Sequence, residues 1–310
     1  MTQQEFQQPS SGRQTQMILI AVVTAGIVLL SIFGSCQFNR GSGETERTSS
    51  VAASDTASIK LPEQETATTQ IQSPSIPFAN FTETANLLNI KMIAVQGGTF
   101  TMGCTPEQGD DCGYAEKPAH QVTVGNFLIG SHEVTQKQWQ TVMGNNPSFF
   151  KGDNLPVEQV SWNEVQEFIT KLNRMTGKQY RLPTEAEWEF AARGGAGSRG
   201  YKYSAGNTAS NIAWSSENSR GTTHPVGTKT ANELGLYDMS GNVAEWCNDR
   251  YGAYGNTAQT RPQDPSTGYN RVIRGGSWGD LSKNLRVSFR FHFSSEYRNG
   301  ILGFRLACSI

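Results

Sequence analysis

YRLPTEAEWEFAARGG, residues Tyr180 to Gly195, shows how the folded part of this chain is built. Thr184 followed three residues later by Glu187 is a capping box. The hydroxyl accepts from a free amide of the first helical turn, and the carboxylate reaches back to the cap. A short helix therefore starts at Thr184. Working outward, SWNEVQEFITKLNRMTG places Val165, Phe168, Ile169 and Leu172 at helical spacing, with Ser161 or Asn163 as cap and Gly177 as stop. TQKQWQTVMG predicts a further helix from about Thr135 to Gly144. Elsewhere glycines are dense, and short apolar runs such as VTVGNFLIG and IRGGSW predict turns and short strands. The mixture predicts an α+β domain with much irregular structure and no internal repeat.

Composition bounds that domain within the 310 residues. A formal charge of −1 and a pI of about 6.4 leave no basic footprint for nucleic acid. Residues 1–16 are polar. Met17 to Phe33 is uncharged and apolar, close to the length that crosses a bilayer as a helix. We expect a membrane anchor over 17–36, with a cleaved signal peptide or a lipoprotein lipidated at Cys36 as alternatives. Arg13 before the run and Arg40 and Arg47 after it give no clear orientation. Residues 37–77 are rich in Ser, Thr and Gln and too poor in large apolar residues to fold, so they read as a linker. Residues 78–310 are long enough for one substantial core. Within them Cys104 and Cys112 flank a short polar stretch, CTPEQGDDC, that a disulfide would close in an oxidising compartment. The rival, a metal site, lacks a second pair at zinc-like spacing. The folded domain is therefore expected outside the cytoplasm, in a bacterial envelope.

Eight motifs then occur in order: GGTFTMG (Gly97 to Gly103), EKPAHQVTV (Glu116 to Val124), EVTQKQW (Glu133 to Trp139), PVEQVSWNE (Pro156 to Glu164), the Tyr180–Gly195 stretch, GLYDMSGNVAEW (Gly235 to Trp246), RGGSW and GFRLA. The series resembles the formylglycine-generating enzyme (sulfatase-modifying factor) domain family, a variant of the C-type lectin fold, over Lys91 to Ala307. The family's oxidising enzymes carry two cysteines shortly after RGGSW that bind copper, and Cu(I) needs soft thiolates. Here no cysteine lies between Cys247 and Cys308. No copper and no catalysis are expected. The enzymatic alternative is a divergent oxidase that has relocated its cysteines to Cys247 and Cys308. His120, His132, His224 and His292 match no helical metal pair, and no G-x-S-x-G pattern is present. Ser277 in GGSW reads as a turn residue. The resemblance also implies a structural Ca²⁺ held by Asp238, Gly241, Val243 and Glu245, hard oxygen donors in a tight turn. The alternative is that Asp238 caps the turn while Glu245 pairs with an arginine.

RVIRGGSWGDLSKNLRVSFRFHFSSEYRNGILGFRLA, Arg271 to Ala307, admits two readings. In the first, Val287, Phe289, Phe291 and Phe293 alternate with Ser288, Arg290, His292 and Ser294, a half-buried strand whose aromatic face packs inward. In the second, the stretch resembles the variable region of proteins diversified by retroelements, in which miscopied template adenines scatter asparagine codons. A template asparagine at Gly279, Asp280, Leu281, Phe289, Phe291, His292, Phe293, Ser294, Tyr297, Asn299, Gly300 and Ile301 accounts for the sequence. Randomising the first two bases of AAC or AAT cannot yield Lys, Glu, Gln, Met or Trp, and all twelve residues obey that limit. Arg286, Arg290, Arg298 and Arg305 would fix the backbone, while Tyr, Phe and His point outward as in a paratope. This second reading implies a non-catalytic, membrane-tethered display protein. It would bind an unidentified protein or surface ligand through residues 279–301. A structural envelope component is the remaining alternative.

Overall fold

The structure, a computed structural model, describes residues 77–260, 262 and 268–310. The expected anchor, Cys36 and the linker up to residue 76 lie outside them. No helix among the described residues is long and apolar enough to cross a membrane.

Short strands dominate, as the glycine punctuation predicts. In chain order they are β1 (Phe81–Glu83), β2 (Ile90–Val95), β3 (Gly98–Met102), β4 (His120–Val124) and β5 (Phe127–Gly130). After two helices come β6 (Tyr180–Arg181), β7 (Ala244–Arg250), β8 (Gln259–Thr260) and β9 (Asn270–Arg274). β10 (Arg290–Ser294), β11 (Leu302–Gly303) and β12 (Ala307–Cys308) complete the series. They form three sheets among the described residues, ordered β1-β2-β5-β12-β6, β10-β9-β7-β11 and β3-β4-β8. The C-terminal β12 runs antiparallel between β5 and β6, so the end of the chain closes a sheet begun near residue 81.

The helices sit where the caps place them. In α1 (Gln136–Met143) Thr135 accepts from the Gln138 amide, and Gly144 ends the helix at φ 81°. In α2 (Trp162–Thr176) Ser161 accepts from the Glu164 amide, settling the choice between Ser161 and Asn163; Gly177 ends it at φ 68°. In α3 (Glu185–Ala192) Thr184 accepts from the Glu187 amide. Glycine suits both stops because the left-handed conformation costs it nothing. A single turn, α4 (Ala209–Ile212), follows.

Two apolar clusters make the core. One packs Val165, Phe168, Ile169 and Leu172 of α2 against Trp139, Trp246 and Phe304. The Trp139 and Phe168 rings stack 5.2 Å apart, and Phe304 meets both edge-on. The other surrounds Trp188 of α3 with Val122, Phe127, Val272 and Val287. Both are built from residues far apart in sequence, which is why the sheets must close before either core is complete.

Candidate ligand-binding face

The C-terminal region is held from below by buried arginines. Arg274, Arg286, Arg290 and Arg305 are each no more than 3% exposed. Arg290 grips both oxygens of Glu185 at 2.7 Å, and the carbonyls of Ala115 and Gly252 accept from its other nitrogen. Arg286 takes both oxygens of Glu116 at 2.7 and 2.8 Å and donates to the Asp111 and Lys283 carbonyls. Arg274 bridges Glu185 and Glu189 and donates to the Ser288 and Val287 carbonyls. These forks match carboxylate geometry and satisfy backbone oxygens at once. Burial alone would raise the Glu185 carboxyl, but Arg290 and Arg274 outweigh it and hold the group below the usual carboxylate range. Arg298 is different: it lies more than half exposed, 3.0 Å from Glu164.

Cys104 and Cys112 are joined by a disulfide with Cα atoms 6.0 Å apart. The loop they close supplies the Asp111 carbonyl to Arg286 and Gln108 Oε1 to Ser288 Oγ. It is therefore part of the same frame.

None of the twelve candidate display positions is buried. Between them Leu285, Arg286, Val287, Ser288 and Arg290 all are. At Arg290 and Phe291 this reverses the half-buried strand with an inward aromatic face, whereas Val287 is buried and Phe293 packs partly against the core. Phe291 is 46% exposed and Arg290 is 3% exposed, the reverse of that expectation. The cause is pairing: Arg290 lies opposite Arg274 in the β9–β10 ladder and shares its buried carboxylates, whereas Phe291 lies opposite Ile273 on the other face. Phe291 and Phe293 meet edge-on at 5.4 Å, and Phe293 stacks on Tyr297 at 4.1 Å. His292 packs on Tyr251 at 4.1 Å and accepts at Nδ1 from the Asn270 amide; burial, with Arg290 beside it, holds its pKa below the usual value. Phe289, Phe291, Phe293, Ile301 and Asp280 line an apolar cleft of about 250 Å³, floored in part by Ala244 and Ile273.

The backbone of this face is anchored through groups that any residue possesses. Ser216 N donates to Asp280 O at 2.9 Å, Gln159 N to Asn299 O at 3.1 Å, and Ala244 N to Ile301 O at 2.8 Å. Trp278 Nε1 donates to Gly300 O at 2.8 Å. The glycines divide in the same way. Gly276 has φ +66°, and a Cβ there would stand 2.6 Å from Asn284 O; at Gly303 it would meet Val157 O at 2.5 Å. At Gly279 and Gly300 the nearest atoms to a Cβ are 3.6 and 3.5 Å away, ordinary contact with no left-handed φ. The frame glycines are obligatory and the two display glycines are replaceable. Asp280 is the most engaged display side chain, accepting from Ser277 N at 3.0 Å, Ser277 Oγ at 2.6 Å and Asn284 at 3.2 Å. The same contact keeps Ser277 in a turn, as its sequence setting predicts.

Several neighbours of the face escape sequence reasoning. Gln159, in the left-handed region at φ 62°, and Glu158 lie under residues 299 and 300. Phe150 meets Trp278 edge-on at 5.4 Å. These residues precede the face by more than a hundred positions; Glu158 and Gln159 fall in the PVEQVSWNE motif, but nothing in it points to residues 299 and 300, and no local pattern marks Phe150.

Two of the candidate calcium donors, Asp238 and Glu245, have partners within the protein. Arg305 takes both oxygens of Glu245 at 2.6 Å, and Trp188 Nε1 adds a bond at 2.7 Å. Asp238 Oδ2 accepts from Gly227 N at 2.6 Å. Among the described residues no group of three or more His, Cys, Asp or Glu is arranged for a metal ion. Asp238 and Glu245 thus have the partners that the turn-and-ion-pair alternative expects. Cys247 and Cys308, the relocated-oxidase pair, are both buried and belong to different core clusters. Burial pushes both thiols up, away from the thiolate that copper binding needs.

A family profile described as "Sulfatase-modifying factor enzyme 1-like domain" matches residues 77–310. The chain is similar to Chaperone protein LppX of Paenibacillus barcinonensis, 32% identical over 255 residues that cover 66% of this chain and 84% of that protein. It is similar to a formylglycine-generating enzyme of Streptomyces coelicolor, 36% identical over 187 residues that cover 54% of this chain and 57% of that one. Among solved structures, Treponema denticola variable protein 1 matches with a TM-score of 0.68 and 34% identity, covering 74% of this chain and 98% of that one. By its motifs, its fold and the extent of these matches, the chain belongs to the sulfatase-modifying factor enzyme 1-like domain family.

Proposed function

We propose that this protein is a non-catalytic display protein with a C-type lectin type of domain. Its residues 279–301 form a variable ligand-binding face, and residues 17–33 tether it to a bacterial envelope membrane. The observation that carries the reading is the division of the C-terminal region into a buried frame and an exposed set. The twelve positions reachable from asparagine codons all touch solvent. Of the residues interleaved with them, Leu285 to Ser288 and Arg290 are buried, while Ser282, Lys283, Asn284, Ser295, Glu296 and Arg298 are not. A core strand has no reason to sort its residues by codon history. Aromatic side chains on a rigid backbone offer contact area at low entropic cost, and an exposed apolar cleft calls for a partner. The likeness to a variable protein supports the same reading.

The decisive test is the DNA downstream of the gene. We expect a near-copy of its 3′ end, differing where the copy carries adenine at the twelve codons, beside a reverse-transcriptase gene. Identical C-terminal sequences in every isolate and no such copy would instead make the protein a fixed envelope component. The oxidase alternative is checked by copper-dependent oxygen consumption with a cysteine peptide, which we expect to be absent.

A further inference from the structure

Glu158 is fully buried, and it holds the one carboxylate oxygen among the described residues that is buried without a hydrogen-bond partner. Its Oε1 accepts from Phe150 N at 2.8 Å, and its own amide donates to Ser148 Oγ at 3.1 Å. Oε2 is the orphan. A buried acceptor left without a donor is costly, so it marks a place where one is missing. That place is identifiable: a Cβ on Gly300 would stand 3.5 Å from Oε2, with Gln159 Nε2 at 3.9 Å as its only other close neighbour. A hydroxyl or amide one bond farther along a side chain at 300 comes within hydrogen-bond reach. The segment is held in place for this, since Asn299 O accepts from Gln159 N and Gly300 O from Trp278 Nε1.

We propose that Glu158 is a positioning residue for the display face, a fixed acceptor that locks a hydrogen-bond donor placed at position 300 and leaves an aliphatic side chain there free. The inference rests on position 300 being variable. Serine, threonine, asparagine and histidine all lie within the codon set reachable there, and each would present its polar group pre-ordered, so that a ligand binds without the entropic cost of fixing it. The glycine of this chain leaves the acceptor unfilled. Consistent with that, burial outweighs the Phe150 and Phe149 amides and Lys151, and pushes the Glu158 carboxyl up to about 7. Lys151 is the charged group acting on it, and its ammonium is turned to Asn146 O at 2.9 Å.

The test is the thermal midpoint of the full chain from pH 5 to pH 8.5 in the parent, G300A, G300S and G300N, each with and without E158Q. The parent and G300A are expected to lose stability as pH rises through about 7, because the buried acid must then ionise. A donor at 300 favours the ionised form, so in G300S and G300N the loss is expected about one pH unit lower and smaller. With E158Q in place the serine and alanine variants should give the same profile. Equal profiles for G300S and G300A with Glu158 intact, or a serine effect that survives E158Q, overturns the proposal. Neither outcome touches the display reading, which stands or falls on the DNA downstream.

Discussion

Arg290 and Phe291 are neighbours in sequence and opposites in role, and single substitutions should separate them. Arg290→Ala leaves Glu185 charged in the core with half its partners gone; breaking a buried pair costs about 3–5 kcal/mol. Phe291→Ala removes a ring that is already about half in water, so we expect a loss of no more than about 1 kcal/mol. Urea denaturation of the two variants checks the pair, and comparable losses would mean that the aromatic face is core after all. The glycines offer the same contrast. Gly276→Ala must force a Cβ against Asn284 O in a left-handed conformation and should destabilise by about 2 kcal/mol or more. Gly279→Ala should fall within about 0.5 kcal/mol of the parent.

At the scale of elements, β10 shows what a period of two leaves open. Alternation places Phe289, Phe291 and Phe293 on one face, but it does not say which face is inside. Apolar content argues for the aromatic face; the structure instead buries Arg290 and leaves Phe291 about half exposed, because Arg274 and Arg290 find Glu185 and Glu189 on α3. Helices were easier to read, since capping boxes and glycine stops are local and act before any tertiary contact forms. The disulfide loop belongs to this scale too. Closing so short a loop is worth about 2–3 kcal/mol in chain entropy. Replacing Cys104 and Cys112 by serine should therefore lower stability by that order. The amides of residues 285–290 should exchange faster as Arg286 loses the ordered Asp111 carbonyl. Loosening confined to residues 104–112 would show that the loop does not brace the proposed binding face.

For the molecule as a whole, pH acts from both sides. Burial would raise the Glu185 and Glu116 carboxyls, but their arginines hold them low; both groups therefore contribute stability above the ordinary carboxylate pKa, and it is lost as pH falls through their folded values. Glu158 works in the opposite sense. Its carboxyl is raised by burial to about 7, so stability is lost as pH rises from 4.5 through that value. From these groups the thermal midpoint should peak near pH 4.5, fall as pH rises to about 7 and level off beyond it. A midpoint that stays level or climbs between pH 4.5 and about 7 would show that Glu158 ionises without penalty.

The ordered motifs determined the family, the helix starts and stops were written in short-range chemistry, and the absence of cysteine between Cys247 and Cys308 followed from residue order alone. The twelve codon-compatible positions were also legible, because that signal is one of residue identity rather than of folding. Tertiary structure alone decided that those positions face solvent, that Glu245 answers Arg305, and that Glu158 lies unpartnered beneath Gly300. Burial and ion pairing depend on which strands become neighbours, and in this chain those neighbours come from well-separated parts of the sequence.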